Sequence, residues 1–409
     1  MSLPLPASPI RRLFAIAACL IIGACTTPPP PPPTPIVPEL PPAPHQLSAD
    51  APPFLRLPNT PADAVPVRVG VILPFDNASA SVRALAKAMM RAAELALYDS
   101  GNRNIILMTA EDTGNPADTV SAATKLLGQG AEVIVGPLFS GSVEAVAPLA
   151  RDRGVPVLAF STDRKVAGGG VYLLSFQPQN EVRRIVTYAI AQGRKKIGAM
   201  IPQTPYGDVV EQAFREVTQE AGVPVCSVTR FSPSAGALTE PAAAIAKADC
   251  DAILVPQSGS LLRGVAQTLA YSNIDIVGKV KLLGTGVWNE AAAQKESLLA
   301  GAWFPAPDPA SDNAFGAKFR ATFGSEPPQL ASLAYDAVSL VALLANGPPY
   351  KRFTPRNLTD PNGFSGVSGI FRFREDGSID RGLAVLTVTA DAFTVVNPAP
   401  ATFQAGAKS

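Results

Sequence analysis

From residue 67 onward, short apolar runs alternate with segments of helical periodicity, and the whole alternation runs through twice. The first series reads as a strand over 67–73, then a helix whose Val82, Leu85, Ala86, Met89, Ala93 and Leu97 share one face. A strand over 105–109, a helix over 116–128, a strand over 133–135, a helix over 142–153, and strands near 155–160 and 171–176 follow. The second series has strands over 197–201, 223–229, 252–255 and 282–283, interleaved with helices over 208–221, 240–246, 261–271 and 289–299. Apolar strands separated by helices stack into parallel sheets covered on both faces. The expected fold class is therefore α/β, in two lobes of similar design. Two more helical stretches, 313–323 and 330–344, come next. At the end, 369–374 and 383–388 flank the turn signal Glu375-Asp376-Gly377 as a closing hairpin.

The first 66 residues follow other rules. Arg11-Arg12 precedes an apolar run over 13–22 that ends in Ile22-Gly23-Ala24-Cys25. A basic start, about ten apolar residues and small residues before a cut site read as an export signal over 1–24, too short for a membrane span. The last four residues resemble a bacterial lipobox, which implies that Cys25 becomes an acylated N-terminus. Ile16-Ala17-Ala18-Cys19 is a second, worse-placed match, and an ordinary signal cleaved near Ala24 or an uncleaved anchor are the alternatives. By the sorting pattern of such lipoproteins, Thr26 rather than Asp after the cysteine implies the inner leaflet of the outer membrane. From Pro28 to Pro66 there are sixteen prolines. Such a segment favours extended polyproline II and reads as a spacer over 25–66, able to reach on the order of 100 Å, with a proline-rich ligand for a partner as the alternative.

Charge and composition exclude several functions. With 34 Lys+Arg against 33 Asp+Glu, the net charge is +1 and no basic field gathers nucleic acid. One histidine, His45, stands in the proline-rich stretch, which removes most His-based catalysis and most zinc sites. Gly168-Gly169-Gly170 precedes a strand and is a turn, and there is no phosphate loop, His-Glu-x-x-His or Cys-x-x-Cys. Arg183-Arg184 and Arg194-Lys195-Lys196 read as solvated charges. No catalytic constellation, metal or cofactor is expected. For Cys226 and Cys250, a 2-1-3 strand order puts their strands on either side of the 197–201 strand, about 9–10 Å apart. That is beyond disulfide reach, and no ordinary in-sheet bond is expected unless the loop at Cys250 is displaced.

Several passages carry a family resemblance: Val69-Gly70-Val71-Ile72-Leu73-Pro74, Glu111-Asp112-Thr113-Gly114-Asn115-Pro116, Val135-Gly136-Pro137-Leu138-Phe139-Ser140, Pro156-Val157-Leu158 and Pro205-Tyr206-Gly207-Asp208. In their order and spacing the chain resembles the type I periplasmic binding proteins of the leucine-binding family. The resemblance implies two Rossmann-like lobes crossed three times, with lobe 1 made of 67–176 and 305–362, lobe 2 of 177–304 and 363–398, and a tail over 399–409. Ligands of open α/β sheets sit outside the carboxyl ends of the strands, so Ser140, Ser142, Ser161, Thr162 and Tyr206 are candidate cleft residues. Each also has a plain structural reading, as helix cap, turn or packing. The resemblance further implies a carboxylate for the ligand's ammonium group after the fourth lobe 2 strand. Here that loop reads Gly284-Thr285-Gly286-Val287-Trp288-Asn289, with Thr285 in the acid's place. Asp76 and Glu290 are candidate substitutes, and Thr285 and Trp288 complete the candidate site.

Lipobox, proline tether, two lobes and Gly-Thr-Gly-Val-Trp together are similar to the penicillin-binding-protein activator lipoproteins of Gram-negative bacteria. The helical repeat domain that precedes the lobes in some of these has no counterpart in this sequence. That likeness implies a regulatory contact with a peptidoglycan synthase, a penicillin-binding protein. The other expectation is a solute receptor that holds an amino acid or similar small polar ligand for an ABC permease. Membrane contact is expected through the lipid anchor alone.

Overall fold

The structure, a computed structural model, describes residues 54–58, 66–233, 237–349, 351–390 and 392–403. The export signal, Cys25, the proline run and His45 lie outside the described residues, as do 404–409 of the tail.

Along the chain, lobe 1 opens with β1 (Phe54–Arg56), β2 (Val67–Val71), α1 (Ala80–Ser100), β3 (Ile105–Thr109), α2 (Pro116–Gly128), β4 (Val133–Val135), α3 (Ser140–Asp152), β5 (Val157–Ala159) and β6 (Val171–Leu173). Across the sheet the order is β1-β3-β2-β4-β5-β6, parallel throughout except for β1. Lobe 2 follows with α4 (Pro178–Ala191), β7 (Ile197–Pro202), α5 (Pro205–Glu220), β8 (Val225–Phe231), α6 (Thr239–Ala246), β9 (Ala252–Leu254), α7 (Gly259–Tyr271), β10 (Lys281–Leu283), α8 (Ala291–Gln294) and β11 (Trp303–Ala306). The chain then gives α9 (Pro309–Phe323), α10 (Ala331–Leu344) and α11 (Pro355–Leu358). It ends in β12 (Phe364–Gly366), β13 (Gly369–Phe373), β14 (Ile379–Arg381), β15 (Ala384–Val388) and β16 (Phe393–Asn397).

Alternation along each strand divides the core. In β2, Val67, Val69 and Val71 join the cluster formed with α1, α9 and α10, whereas Ile72 just beyond joins the opposite cluster with α2 and α3. In β7, Ile197, Ala199 and Ile201 face α4 and α5 while Met200 faces α6 and α7. Each large aliphatic side chain so buried contributes roughly 1.5–3 kcal/mol. The prolines of the lobes sit where a missing N–H costs nothing. Pro116, Pro178, Pro205 and Pro309 each open a helix directly after its N-cap residue.

Four expectations are corrected. Phe54–Arg56, inside the segment read as spacer, pairs antiparallel with β3 as an edge strand, because Phe54 and Leu55 restore apolar character after the prolines. Helix α4 stands between Phe176 and Ile197, where no helix was assigned. The hairpin partner of β13 is β14, not 383–388, since Glu375-Asp376-Gly377 makes a tight turn with Gly377 at φ 78°. The strand β15 instead joins the lobe 2 sheet against β11, completing the order β16-β15-β11-β10-β9-β7-β8. Finally, β13 and β14 pack on lobe 1 rather than lobe 2: Phe371, Phe373 and Ile379 enter its core, and Phe373 lies 5.4 Å from the Tyr172 ring. The passages between lobes thus fall between β6 and α4, β11 and α9, and β14 and β15.

Cys226 and Cys250 are bonded, with Cα atoms 5.7 Å apart, contrary to the strand-spacing expectation. The order β9-β7-β8 does place β7 between them. What the spacing rule missed is the residue beneath: a Cβ on Gly198 would lie 2.8 Å from one sulfur and 3.0 Å from the other. With no side chain there, the bridge arches over the middle strand. A register shift between Ile197 and Ala199 and a left-handed turn at Asp249 (φ 48°) bring the two cysteines together.

Candidate functional site

The loops at the carboxyl ends of the strands form the facing walls of the two lobes. On lobe 1, β4 runs into α3 through Gly136, whose φ of 97° and contact with the Ile72 carbonyl leave no room for a side chain. The N-cap position of α3 is Phe139, which makes no side-chain cap, so Ser140 begins the helix half-buried. Ser142 turns inward instead. Its hydroxyl lies 2.9 Å from Thr119 Oγ1 and donates to the Gly114 carbonyl at 3.0 Å, while Thr119 donates to Asp112 Oδ1 at 2.8 Å. This buried chain stitches α3 to the start of α2. Ser161 is buried too, its Oγ accepting from the Asp163 N–H, whereas Thr162 stands exposed at the rim. Asp76 is exposed and shares a backbone bond with Asp112.

On lobe 2, Thr204 caps α5 by accepting from Gly207 N–H, and Tyr206 projects from the first turn. Its hydroxyl meets Thr285 Oγ1 at 2.7 Å. Thr285 is fully buried, so the two polar groups expected to greet a ligand satisfy each other. Trp288 also lies away from the cleft: its ring is fully buried beside Phe304, and Nε1 donates to the Gln257 carbonyl at 2.9 Å. The Gly-Thr-Gly-Val-Trp run then has a steric cause. A Cβ on Gly284 would lie 2.1 Å from the Trp288 ring, and one on Gly286 would lie 2.4 Å from the carboxylate of Glu181.

Glu181 is the group that sequence reasoning missed. It lies in the first turn of α4 with 7% exposure, and its Oε2 accepts from Gly286 N–H at 2.9 Å. Burial raises its pKa to about 7, opposed only by that backbone bond. Among the described residues no Lys or Arg pairs with it. Burial, and then the charge of Glu181, push the Tyr206 phenol well above its ordinary value. The signal was available: Glu181 precedes Ile185 and Ala189 by four and eight residues on one buried helix face, a place where a carboxylate is costly. Of the suggested substitutes, Glu290 is committed elsewhere, accepting from Gly259 N–H at 2.7 Å. No group of three or more metal-ligating side chains occurs among the described residues. No described helix is long and apolar enough to cross a membrane.

The geometry is that of two α/β lobes facing each other across strand ends, and the family model for periplasmic binding proteins matches residues 66–392. The chain belongs to that family. Solved periplasmic binding proteins share its fold at low identity. A branched-chain amino acid ABC transporter protein from Rhodospirillum rubrum superposes with a TM-score of 0.73 at 18% identity, covering 81% of this chain and 100% of that one. The substrate binding protein LivJ of Streptococcus pneumoniae, in complex with isoleucine, gives 0.58 at 21% identity, covering 81% and 100%. Among curated proteins, the penicillin-binding protein activator LpoA of Vibrio cholerae is 27% identical over 124 residues, 29% of this chain and 20% of that protein. An uncharacterized protein, RP748, of Rickettsia prowazekii is 19% identical over 151 residues, 37% of this chain and 39% of that protein. This binding protein thus spans one fifth of the length of the activator it matches.

Proposed function

We propose that this periplasmic binding protein is a non-catalytic, lipid-anchored regulator that activates a peptidoglycan synthase, held through Cys25 at the inner leaflet of the outer membrane. The observation that carries the reading is the closure of the lobe 2 wall on itself. Tyr206 and Thr285 bond to each other, and Trp288 is spent on packing, so little of that wall is left to hold a free solute. The 27% identity to an activator over 124 residues supports the same reading. The test is a pull-down of the full chain with purified penicillin-binding proteins, followed by a glycan polymerisation assay. Binding and a faster synthase are expected; neither binding nor stimulation by any of them overturns the proposal.

One observation favours a second reading, a solute receptor for an ABC permease. Glu181 is a buried carboxylate without a cation, next to Tyr206 at the cleft wall, and a ligand's ammonium group would supply the missing charge. Calorimetry with an amino-acid panel separates the readings. Micromolar binding lost in Glu181→Gln supports the receptor, and a flat panel removes it.

A further inference from the structure

We infer that the outer pole of lobe 2, opposite the cleft, is the surface by which this chain docks a protein partner through that partner's acidic face. The inference rests on the synthase-regulator reading and names the surface that reading needs.

The parallel sheet places the pole. Ile197, Ala252 and Lys281 are register partners across β7, β9 and β10, so the residues just before them share one end of the sheet. The cleft loops leave from the other end. Arg194 joins the three approaches, its Nη1 donating to the carbonyls of Lys279 at 3.2 Å and Asp251 at 3.4 Å. The disulfide Cys226–Cys250 crosses the same end and ties β8 to the turn before β9. The pole is therefore preorganised, which lowers the ordering cost of association.

Its charges are unbalanced in a particular way. Five cations, Arg194, Lys195, Lys196, Lys247 and Lys279, stand against three carboxylates, Asp249, Asp251 and Asp275, and the carboxylates are held within the chain: Asp251 accepts from the N–H groups of Lys195 and Lys196, Asp275 from Gly278 N–H, and Asp249 pairs with Lys196. Lys195, Lys247 and Lys279 are exposed and form no ion pair among the described residues. Beside them, at the end of α7 and in the turn that follows, Tyr271 is 87% exposed and Val277 53%. An aromatic and an aliphatic side chain set in an excess of cations match a surface of carboxylates around a small apolar spot. A bilayer is the poorer match, because insertion needs an apolar helix face. That of α7, with Leu262, Val265, Ala266 and Leu269, is buried in the lobe.

The test compares wild-type full-length chain with Lys195→Glu/Lys247→Glu/Lys279→Glu and with Tyr271→Ala, by affinity for the purified penicillin-binding protein at 50 and 300 mM salt. These side chains support no core contact, so thermal unfolding should match wild type and confirm intact folding. A tenfold or greater loss in the triple variant, a several-fold loss in Tyr271→Ala, and weaker wild-type binding at high salt are expected. Wild type that binds while the triple variant binds equally well overturns this inference alone. Wild type that binds no penicillin-binding protein overturns both it and the regulator reading. Lysine-dependent binding to phosphatidylglycerol vesicles, with no effect of the variants on protein binding, overturns it in favour of a lipid surface.

Discussion

At the scale of single residues, the lobe 2 loop sets a departure from the family pattern beside a carboxylate brought in from a distance. Thr285 stands where the resemblance implied an acid, while a carboxylate arrives at the neighbouring Gly286 from Glu181, 105 residues earlier. The first half was legible, since Gly-Thr-Gly-Val-Trp is read directly. The second was legible only in part: the 181, 185, 189 spacing marks one helix face, but the bond to Gly286 is a long-range contact that no local pattern carries. Ser142 and Trp288 stand just after strand ends, as expected, but their side chains are turned into buried bonds. Burial of Glu181 gives a prediction with a definite sign. Its carboxyl has an ordinary value of 4.5 and a folded value of about 7, so the folded chain holds the proton more tightly. That contribution to stability is full below about 4.5 and is lost as pH rises to about 7. Glu181→Gln keeps an acceptor for Gly286 N–H and removes the charge. In urea unfolding the variant should gain on wild type between pH 5 and pH 8 by roughly 2 kcal/mol. Glu94, buried in α1 and also raised to about 7, acts in the same direction in both proteins and cancels in the comparison. A gap that does not change with pH means Glu181 is not held in this environment.

Among elements, the pattern of strands and helices was read from periodicity because both parallel sheets are buried on two faces, leaving apolar runs with little ambiguity. Edges were harder. β1 is three residues long in a proline-rich context, and the partner of β13 depends on which of two nearby apolar runs the turn delivers. Fixed strand spacing argues against the disulfide, whereas Gly198 lets the bridge pass over β7. This element-level device should carry measurable stability. The bond closes a sequence separation of 24 residues, worth about 3 kcal/mol of unfolded-state entropy in the chain-entropy account. Cys226→Ser/Cys250→Ser should lower the urea midpoint accordingly. Gly198→Ala, whose methyl would strike both sulfurs and lie 3.0 Å from the Ser227 carbonyl, should cost about 1–3 kcal/mol in the bonded protein and less in the bridge-free one, where the carbonyl contact alone is unchanged. Equal costs in the two backgrounds mean the bridge does not lie over Gly198.

For the whole molecule, the first and third passages between lobes concentrate polar groups that the present arrangement leaves unpaired among the described residues. Asp336 on α10 and Arg381 at the end of β14 form a fully buried ion pair, Nη1 to Oδ2 at 3.3 Å, with the guanidinium 4.8 Å from the Phe176 ring and 5.3 Å from Phe371. This packing ties the third passage to the first. Yet Arg381 Nε and Nη2, Ser175 Oγ and Gln177 Nε2 are buried without hydrogen-bond partners among the described residues. Donors in that condition disfavour the arrangement that holds them, and a rotation that lets water reach them relieves the cost. The lobes should therefore populate a more open arrangement in solution. Ser175→Ala removes one unpaired hydroxyl at almost no cost in volume, so it should shift the population toward the compact state and lower the radius of gyration measured by small-angle scattering. The N-terminal segment is the same in both proteins and cancels in the difference. Identical radii for variant and wild type, with unchanged stability, would show that these donors do not set the lobe equilibrium.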